Sequence, residues 1–389
     1  MKQLYIDGTW TGGAVGRTWT VTNPATGERL EDVALADAAD VDRAVRAALA
    51  DEAPGARELA VLLSPAAEPY AESLARQAQA LTRRHFGNTV SLYAPLYLSD
   101  FCPGGCVYCG FAADRPVPRR RLNRRAAERE MQALHTAGLD EILLLTGERT
   151  PQADFHYLLN HVRLAARRFS AVTVEAFGMA ESEYAQLAKA GCTGVTLYQE
   201  TYNPVVYARM HRAGPKRDFA ARLAAPSRAL AAGIRTVGLG ALLGLADPVS
   251  DALALYLHAV ALRKAYWHAG LSISFPRIQP QTGGFAPPHP LSDRFLARLI
   301  WAFRICLPDV HLVLSTRESP RFRDGMAGVG ISKMSVASRT TVGGYHAGGA
   351  ARDGQFQVQD TRGVAAFCRA LRRRGLEPVF KNWESVYRN

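Results

Sequence analysis

Three cysteines, Cys102, Cys106 and Cys109, stand at spacings of four and three residues in the stretch Phe101-Cys102-Pro103-Gly104-Gly105-Cys106-Val107-Tyr108-Cys109-Gly110-Phe111. Thiolates so close in sequence can converge on one soft metal centre. Gly104 and Gly105 allow the backbone to curl tightly around it. A [4Fe-4S] cluster held by three cysteines keeps one iron without a protein ligand, and that iron is open to a small molecule. A zinc site would need a fourth ligand. His85 and His135 are available for it, but neither stands at finger-like spacing. A disulfide framework fits poorly, because six cysteines in 389 residues is sparse and no secretory signal pattern is present.

Further polar residues stand at the ends of apolar runs. Gly147-Glu148 follows Glu141 to Thr146, Glu175 closes Val172 to Glu175, and Glu200 closes Val195 to Glu200. A carboxylate in such a place is costly unless it is paired or wet. Arg209 and Lys216 lie in the loop beyond Glu200 and are able to neutralise a carboxylate. Ser315-Thr316-Arg317-Glu318 leaves the run Val310 to Leu314. The Arg317 guanidinium suits a bidentate carboxylate; the competing use is an internal ion pair with Glu318 or Asp324. Ser338 and Tyr345 are weaker candidates in the last loop. Cys192 reads as an isolated cysteine at a helix cap, and Cys306 and Cys368 as core residues.

The elements that must carry these residues alternate. Ser64-Pro65 reads as a helix start, and Gly87 ends the helix after Phe86. Strands are expected at Val90 to Leu98, Glu141 to Thr146, Val172 to Glu175, Val195 to Glu200, Thr236 to Leu243, Leu271 to Phe275, Val310 to Leu314 and Lys333 to Ser338. Helices fall between them: Arg124 to Ala137, Phe155 to Phe169, Glu181 to Ala190, Ala220 to Ala232, Asp251 to Trp267 and Asp293 to Leu307, with Val364 to Arg374 last. This order predicts an α/β fold, a (β/α)8-like barrel whose loops after the strands carry the chemistry. Periodicity alone leaves a doubly wound sheet open.

The cysteine spacing, with an aromatic residue before the last cysteine, resembles the radical S-adenosylmethionine (SAM) superfamily. Leu63-Ser64-Pro65-Ala66-Ala67, Arg84-His85-Phe86-Gly87-Asn88-Thr89-Val90 and Ala94-Pro95-Leu96-Tyr97-Leu98-Ser99 narrow the resemblance to its 2-iminoacetate synthase family of tyrosine lyases. So do Tyr198-Gln199-Glu200-Thr201-Tyr202, Leu314-Ser315-Thr316-Arg317-Glu318-Ser319, Gly343-Gly344-Tyr345 and Lys381-Asn382-Trp383-Glu384. The similarity spans roughly residues 57–389 and favours a barrel.

The resemblance implies a [4Fe-4S] cluster on Cys102, Cys106 and Cys109, with SAM chelating its open iron. It implies that SAM is held by Tyr108, Gly147, Glu148, Glu175, Glu200 and Arg209. Arg317, Glu200 and Ser315 would serve catalysis, with Arg317 on the carboxylate of tyrosine or of the methionyl group. L-tyrosine would be cleaved at Cα–Cβ to 2-iminoacetate and p-cresol for the thiazole of thiamine. The implied partners are thiazole synthase and a flavodoxin- or ferredoxin-type electron donor. The hydrogenase-maturation tyrosine lyase is the nearest rival. It carries a further cysteine-bound cluster, whereas no Cys-x2-Cys pair follows Cys109 here. A tryptophan lyase of the same group is a second rival, and a non-functional chimera a third.

The first fifty residues read differently. Tyr5-Ile6-Asp7-Gly8-Thr9-Trp10 and Arg17-Thr18-Trp19-Thr20-Val21 read as two short strands. A helix follows from Ala38 to Leu49. This part, residues 1–50, resembles the extreme N-terminus of aldehyde dehydrogenases. It carries no nucleophile motif, so aldehyde oxidation is not expected, and the segment is expected to be peripheral to a barrel domain over 57–389. The net charge of +12 comes mostly from scattered arginines. The runs Arg119-Arg120-Arg121 and Arg372-Arg373-Arg374 read as solvated surface, and no nucleic-acid motif accompanies them. With no membrane-length apolar run and no signal peptide pattern, the expectation is a cytoplasmic protein with no nucleic-acid or membrane partner.

Overall fold

The computed structural model describes residues 54–346 and 354–380 continuously. Before residue 54 it describes 4–6, 9–12, 18–22, 29–34 and a few positions between 39 and 50. Four short strands come first: β1 Leu4–Ile6, β2 Thr9–Thr11, β3 Thr18–Thr22 and β4 Arg29–Ala34. β1 pairs antiparallel with β2, and β3 with β4. The expected first strand is therefore itself two strands, β1 and β2, paired through Leu4↔Thr11, Tyr5↔Trp10 and Ile6↔Thr9. The expected second strand pairs with a segment that sequence reading left as loop. Val45, from the expected helix, is fully buried in the main core of the barrel.

Helix Ala56–Leu63, a 3₁₀ turn Pro65–Tyr70 and helix Ala71–Phe86 lead into the barrel. The helix expected from Ser64 onward is thus delayed by a tighter turn containing Pro65 and Pro69. Pro69 lacks the N–H that an α-helix interior needs. Gly87, at φ 62°, ends the long helix in a conformation that favours glycine.

The eight barrel strands are β5 Thr89–Tyr97, β6 Glu141–Leu145, β7 Ala171–Glu175, β8 Gly194–Thr196, β9 Thr236–Gly240, β10 Gly270–Ser274, β11 His311–Leu314 and β12 Lys333–Ser335. They pair in parallel in chain order, and β12 closes on β5 through Lys333↔Ser91, Met334↔Leu92 and Ser335↔Tyr93. The doubly wound alternative is excluded by that closure. A short strand missed in the sequence, β13 Glu377–Val379, pairs with β5 below β6. Two short helices were also missed, Pro204–Met210 and Pro320–Met326. Each starts with proline after a capping Asn or Ser, a signal that sequence can carry.

The period of two along each strand sorts the residues. Leu92, Leu96, Ile142, Leu144, Val237 and Leu239 face outward into the helix-covered core. Tyr93, Tyr97, Leu143, Leu145 and Val313 form a separate cluster with Phe111 inside the upper barrel. On β9 the inward positions are glycines. A side chain at Gly240 would come within 2.6 Å of the Tyr198 ring, and one at Gly238 within 2.6 Å of Thr196. Glycine at these positions leaves the inward space to the Tyr198 ring and the Thr196 side chain.

A buried ionic group ties the C-terminal segment to the barrel. Arg323 pairs with Asp360, both almost fully buried, and Arg362 bonds Asp360 and Asp324 at 2.7 and 2.8 Å. Asp360 therefore balances Arg323 where no water can. The substitution D360A leaves that guanidinium buried and unpaired. It is expected to lower stability by ~3–5 kcal/mol, read from urea unfolding. A loss below about 1 kcal/mol would show that the group does not anchor the segment.

Candidate active site

The cysteine loop leaves the C-terminal end of β5, where barrel chemistry is done. Its backbone is held by other segments. Gly105 N–H donates to the Ala213 carbonyl at 3.1 Å, and Val107 N–H to Met210 at 3.1 Å. The Arg119 guanidinium donates to the carbonyls of Asp100, Phe111 and Ala112 at 2.5–2.9 Å. Arg119 thus clamps the loop, which corrects its reading as solvated surface. Neither Gly104 nor Gly105 has positive φ. They are required by close approach: a Cβ at Gly105 would lie 3.0 Å from Ala213 N, and one at Gly104 3.2 Å from Cys102 Sγ.

Backbone N–H groups point at the sulfurs. Gly104 and Glu148 donate to Cys102 Sγ, and Phe111 to Cys109 Sγ, each at 3.4 Å. Donors of this kind suit thiolates that carry iron. Burial raises the Cys102 thiol and pushes Cys106 up to about 12, so these sulfurs ionise only when positive charge is brought among them. Among the described residues no three His, Cys, Asp or Glu side chains converge tightly enough for a single ion. His85 and His135 are exposed at helix ends. The three cysteines line one cavity and neither His85 nor His135 does, a donor set that suits a cluster held by three thiolates.

The three cysteines open into a cavity at the barrel mouth, lined also by Tyr108, Glu148, Glu175, Glu200 and Arg317. Gly147 touches the loop directly: a Cβ there would lie 2.5 Å from the Phe101 carbonyl oxygen and 2.6 Å from Cys102 Cβ.

Charge in the cavity is divided into two sets. In the first, Lys216 donates to Glu200 at 2.5 Å, and Arg222 lies 3.7 Å from Glu200 and 3.5 Å from Glu148. Burial alone would raise Glu200, but Lys216 and Arg222 outweigh it and hold the carboxyl below its ordinary value. The strand expected to reach Glu200 stops at Thr196. Glu200 itself has φ 70°, an uncommon conformation for a residue with a side chain. It is fixed there by its carbonyl, which accepts from Leu242 N–H at 2.7 Å.

The second set is Glu175 and Arg317, and among the described residues neither has an ion-pair partner. Burial pushes Glu175 up to about 7, with Glu200 adding to the rise. Burial lowers Arg317. Its guanidinium lies 3.3 Å from the centre of the Phe356 ring, and one N–H approaches the Arg277 carbonyl at 3.4 Å. The partners suggested for Arg317 are taken: Glu318 pairs with Arg277, and Asp324 with Arg362. An unpaired buried guanidinium facing a cavity is a site for an anion.

Ser315 accepts from Arg317 N–H at 3.4 Å and, with Ser338, lines the deeper continuation of the cavity. Tyr345 lies outside it, held to the Pro95 carbonyl at 2.5 Å. Arg209 is exposed at the end of a short helix and does not line the cavity, so its assignment to the cofactor is corrected. Lys216 and Arg222 are the cations that reach inside. Sequence reading missed Arg222, because its role depends on where helix Phe219–Ala231 crosses the mouth. It also missed His211. His211 Nδ1 faces the Tyr207 carbonyl at 2.8 Å, so Nδ1–H donates and Nε2 accepts from the Tyr108 hydroxyl at 2.7 Å. Burial lowers His211 to about 3, which keeps it neutral in that role.

Comparison with known proteins agrees with this geometry. The Radical SAM superfamily profile matches residues 96–256, and the Biotin and Thiamin Synthesis associated domain matches residues 274–377. The chain is 42% identical to the 2-iminoacetate synthase of Escherichia coli over 349 residues, covering 90% of this chain and 91% of that one. The Salmonella typhimurium 2-iminoacetate synthase is 41% identical over the same lengths. Among solved structures, HydG, a maturase of the [FeFe]-hydrogenase, superposes with a TM-score of 0.83 at 30% identity, over 89% of this chain and 77% of that one. A separate stretch of 47 residues, 12% of this chain, is 53% identical to an aldehyde dehydrogenase of Geobacillus stearothermophilus and covers 64% of that chain. With the three-cysteine loop at the mouth of a closed parallel barrel, and near-complete coverage at this identity, the chain belongs to the radical SAM superfamily and, within it, to the 2-iminoacetate synthase family.

Proposed function

We propose that this enzyme cleaves the Cα–Cβ bond of L-tyrosine, giving 2-iminoacetate and p-cresol. The observation that carries the reading is the unpaired couple Arg317 and Glu175 in the same cavity as the cysteines. An α-amino acid presents one carboxylate and one ammonium, and these are the charges the couple lacks.

Cys102, Cys106 and Cys109 would hold the cluster, and the set Glu148–Arg222–Glu200–Lys216 would meet the polar groups of SAM. When bound, the cluster and SAM supply one-electron cleavage of the sulfonium, with methionine and 5′-deoxyadenosine as products. The residues of the chain confine and orient. Arg317 holds the tyrosine carboxylate, stiffened from behind by Phe356. Glu175 accepts a hydrogen bond from the tyrosine amine and, ionised, is able to take its proton. That leaves the nitrogen as a neutral amine, from which hydrogen is removed. Tyr108, fixed by neutral His211, walls the cysteine side. The cavity limits water, which matters because the imine product hydrolyses. That lability supports direct transfer to thiazole synthase, and the electron requirement supports a flavodoxin- or ferredoxin-type donor. No helix among the described residues is long and apolar enough to cross a membrane. The reducing needs of the cluster support a cytoplasmic setting.

The first test is anaerobic reconstitution with iron and sulfide, then addition of SAM, a reductant and L-tyrosine. The expected products are 5′-deoxyadenosine, p-cresol and glyoxylate, the last from imine hydrolysis. Production of 5′-deoxyadenosine without p-cresol would overturn tyrosine as substrate.

Glu175, pushed up to about 7, is a carboxylate above that pH and a neutral acid below it. kcat/KM for tyrosine should therefore rise between about pH 6 and about pH 8, and E175Q should lose that rise. An unchanged profile would remove Glu175 from the amine. R317K keeps the charge but loses the fork, so KM for tyrosine should increase about tenfold or more with cluster loading intact. G147A forces a Cβ into Phe101 and Cys102 and should lower bound iron; full loading would show that the loop yields easily.

A further inference from the structure

Residues 354–360 cross the barrel mouth as a strap between the cysteine loop and the Arg317 loop. Gly110 N–H donates to the Gln355 carbonyl at 3.0 Å, and Gln355 N–H to the Thr340 carbonyl at 2.9 Å. The contact is main chain on main chain: a Cβ at Gly110 would lie 2.5 Å from the Gly354 carbonyl oxygen. Beyond Phe356, the N–H groups of Gln359 and Asp360 donate to the Thr316 carbonyl at 3.0 and 3.2 Å. The Gln355 side chain turns inward. Its Oε1 accepts from the Tyr97 hydroxyl at 2.7 Å, and its Nε2 lies 3.7 Å from Cys109 Sγ, within reach of the longer N–H···S bond.

We propose that Gln355 is a positioning residue for the cluster: its amide, oriented by Tyr97, donates to the Cys109 sulfur and makes the cluster easier to reduce. The inference rests on the assignment of the cluster to the three cysteines. The amide has two possible orientations. A flip would aim its oxygen at a thiolate and its NH₂ at Tyr97. Tyr97 is buried, and its phenolic O–H has its one proton directed at Gln355 Oε1. The observed orientation therefore satisfies both neighbours and the flipped one repels the sulfur. A donor on a cluster sulfur stabilises the extra negative charge of the reduced state. Gln355 is the only side chain among the described residues that donates to a cluster sulfur; the other donors are backbone N–H groups, which substitution does not remove. Its neighbour Phe356 packs on Arg317, so the same strap touches the cluster and the carboxylate-binding guanidinium one residue apart.

The test compares reconstituted wild type with Q355L, Q355E and Y97F, by iron and sulfide content and by a redox titration followed by electron paramagnetic resonance. Q355L is expected to keep its iron and to show a midpoint potential more negative than wild type. Q355E, which brings a charge to the sulfur, should move further in that direction. Y97F, which frees the amide to turn, should move less. Full iron loading with an unmoved potential in Q355L and Q355E overturns the proposal alone. Loss of iron from Q355L with an unmoved potential in Y97F also overturns it, because Gln355 would then retain the cluster rather than tune it. A wild-type protein that takes up no cluster overturns the cluster assignment itself, and this inference with it.

Discussion

The site depends on the bonding of β5. Its upper half pairs with β6 from Ala94 to Tyr97, and its lower half with β12 from Ser91 to Tyr93 and with β13 from Thr89 to Ser91. A strand joined on both edges cannot shift without breaking parallel ladders on both sides. The cysteine loop leaves the end of this strand, and Tyr97 on its last turn inward is the residue that orients Gln355. A one-residue slip would send Tyr93 and Tyr97 out into the helix layer and Leu92 and Leu96 in. The position of the sulfurs is therefore fixed by apolar alternation along a strand that carries no chemistry of its own.

The same alternation makes room for ligands. Upper positions on β5 and β6 fill their side of the interior with Tyr93, Tyr97, Leu143 and Leu145, while β9 contributes only Gly238 and Gly240. The cavity is lined from Tyr97, Leu145 and Glu175 round to Tyr198, Leu242 and Arg317, and cations reach it from the loops beyond β8. Lys216 and Arg222 reach it from a 3₁₀ turn and a helix that follow one another after β8. The cost of burying Glu200 and Glu148 is offset by cations that arrive in one short segment.

Strands and helix order were legible in the sequence because period-two apolar runs, glycine stops and capping residues are local signals, whereas the closure of β12 on β5 is a long-range pairing that periodicity left open. The cysteine triad was legible because its spacing is local too. Arg222 and Gln355 were not, since each acts across more than twenty residues of chain on a partner that only the fold brings near. Arg209 misled for the converse reason. It lies between Glu200 and Lys216 in sequence, but the short helix Pro204–Met210 turns it outward. The N-terminal strands misled because the alternation from Tyr5 to Trp10 reads as one strand, whereas β1 and β2 are two that pair antiparallel.

The two charged sets in the cavity differ in what they still require. Glu148, Arg222, Glu200 and Lys216 balance one another as two acids and two bases. These four side chains are already paired with one another, so a ligand placed among them exchanges existing ion pairs and hydrogen bonds for new ones. Glu175 and Arg317 are partly withdrawn from solvent and, among the described residues, make no ion pair, and both shifts run toward the neutral form. An amino acid bound between them relieves both penalties at once, whereas a ligand bearing only one of the two charges relieves half. On the proposed reading, preference for a zwitterion would follow from this couple, independent of the ring that the substrate carries. Phe356, stacked on Arg317, belongs to the strap that reaches Cys109 through Gln355. Arg317 and Cys109 are therefore both contacted by one continuous piece of chain.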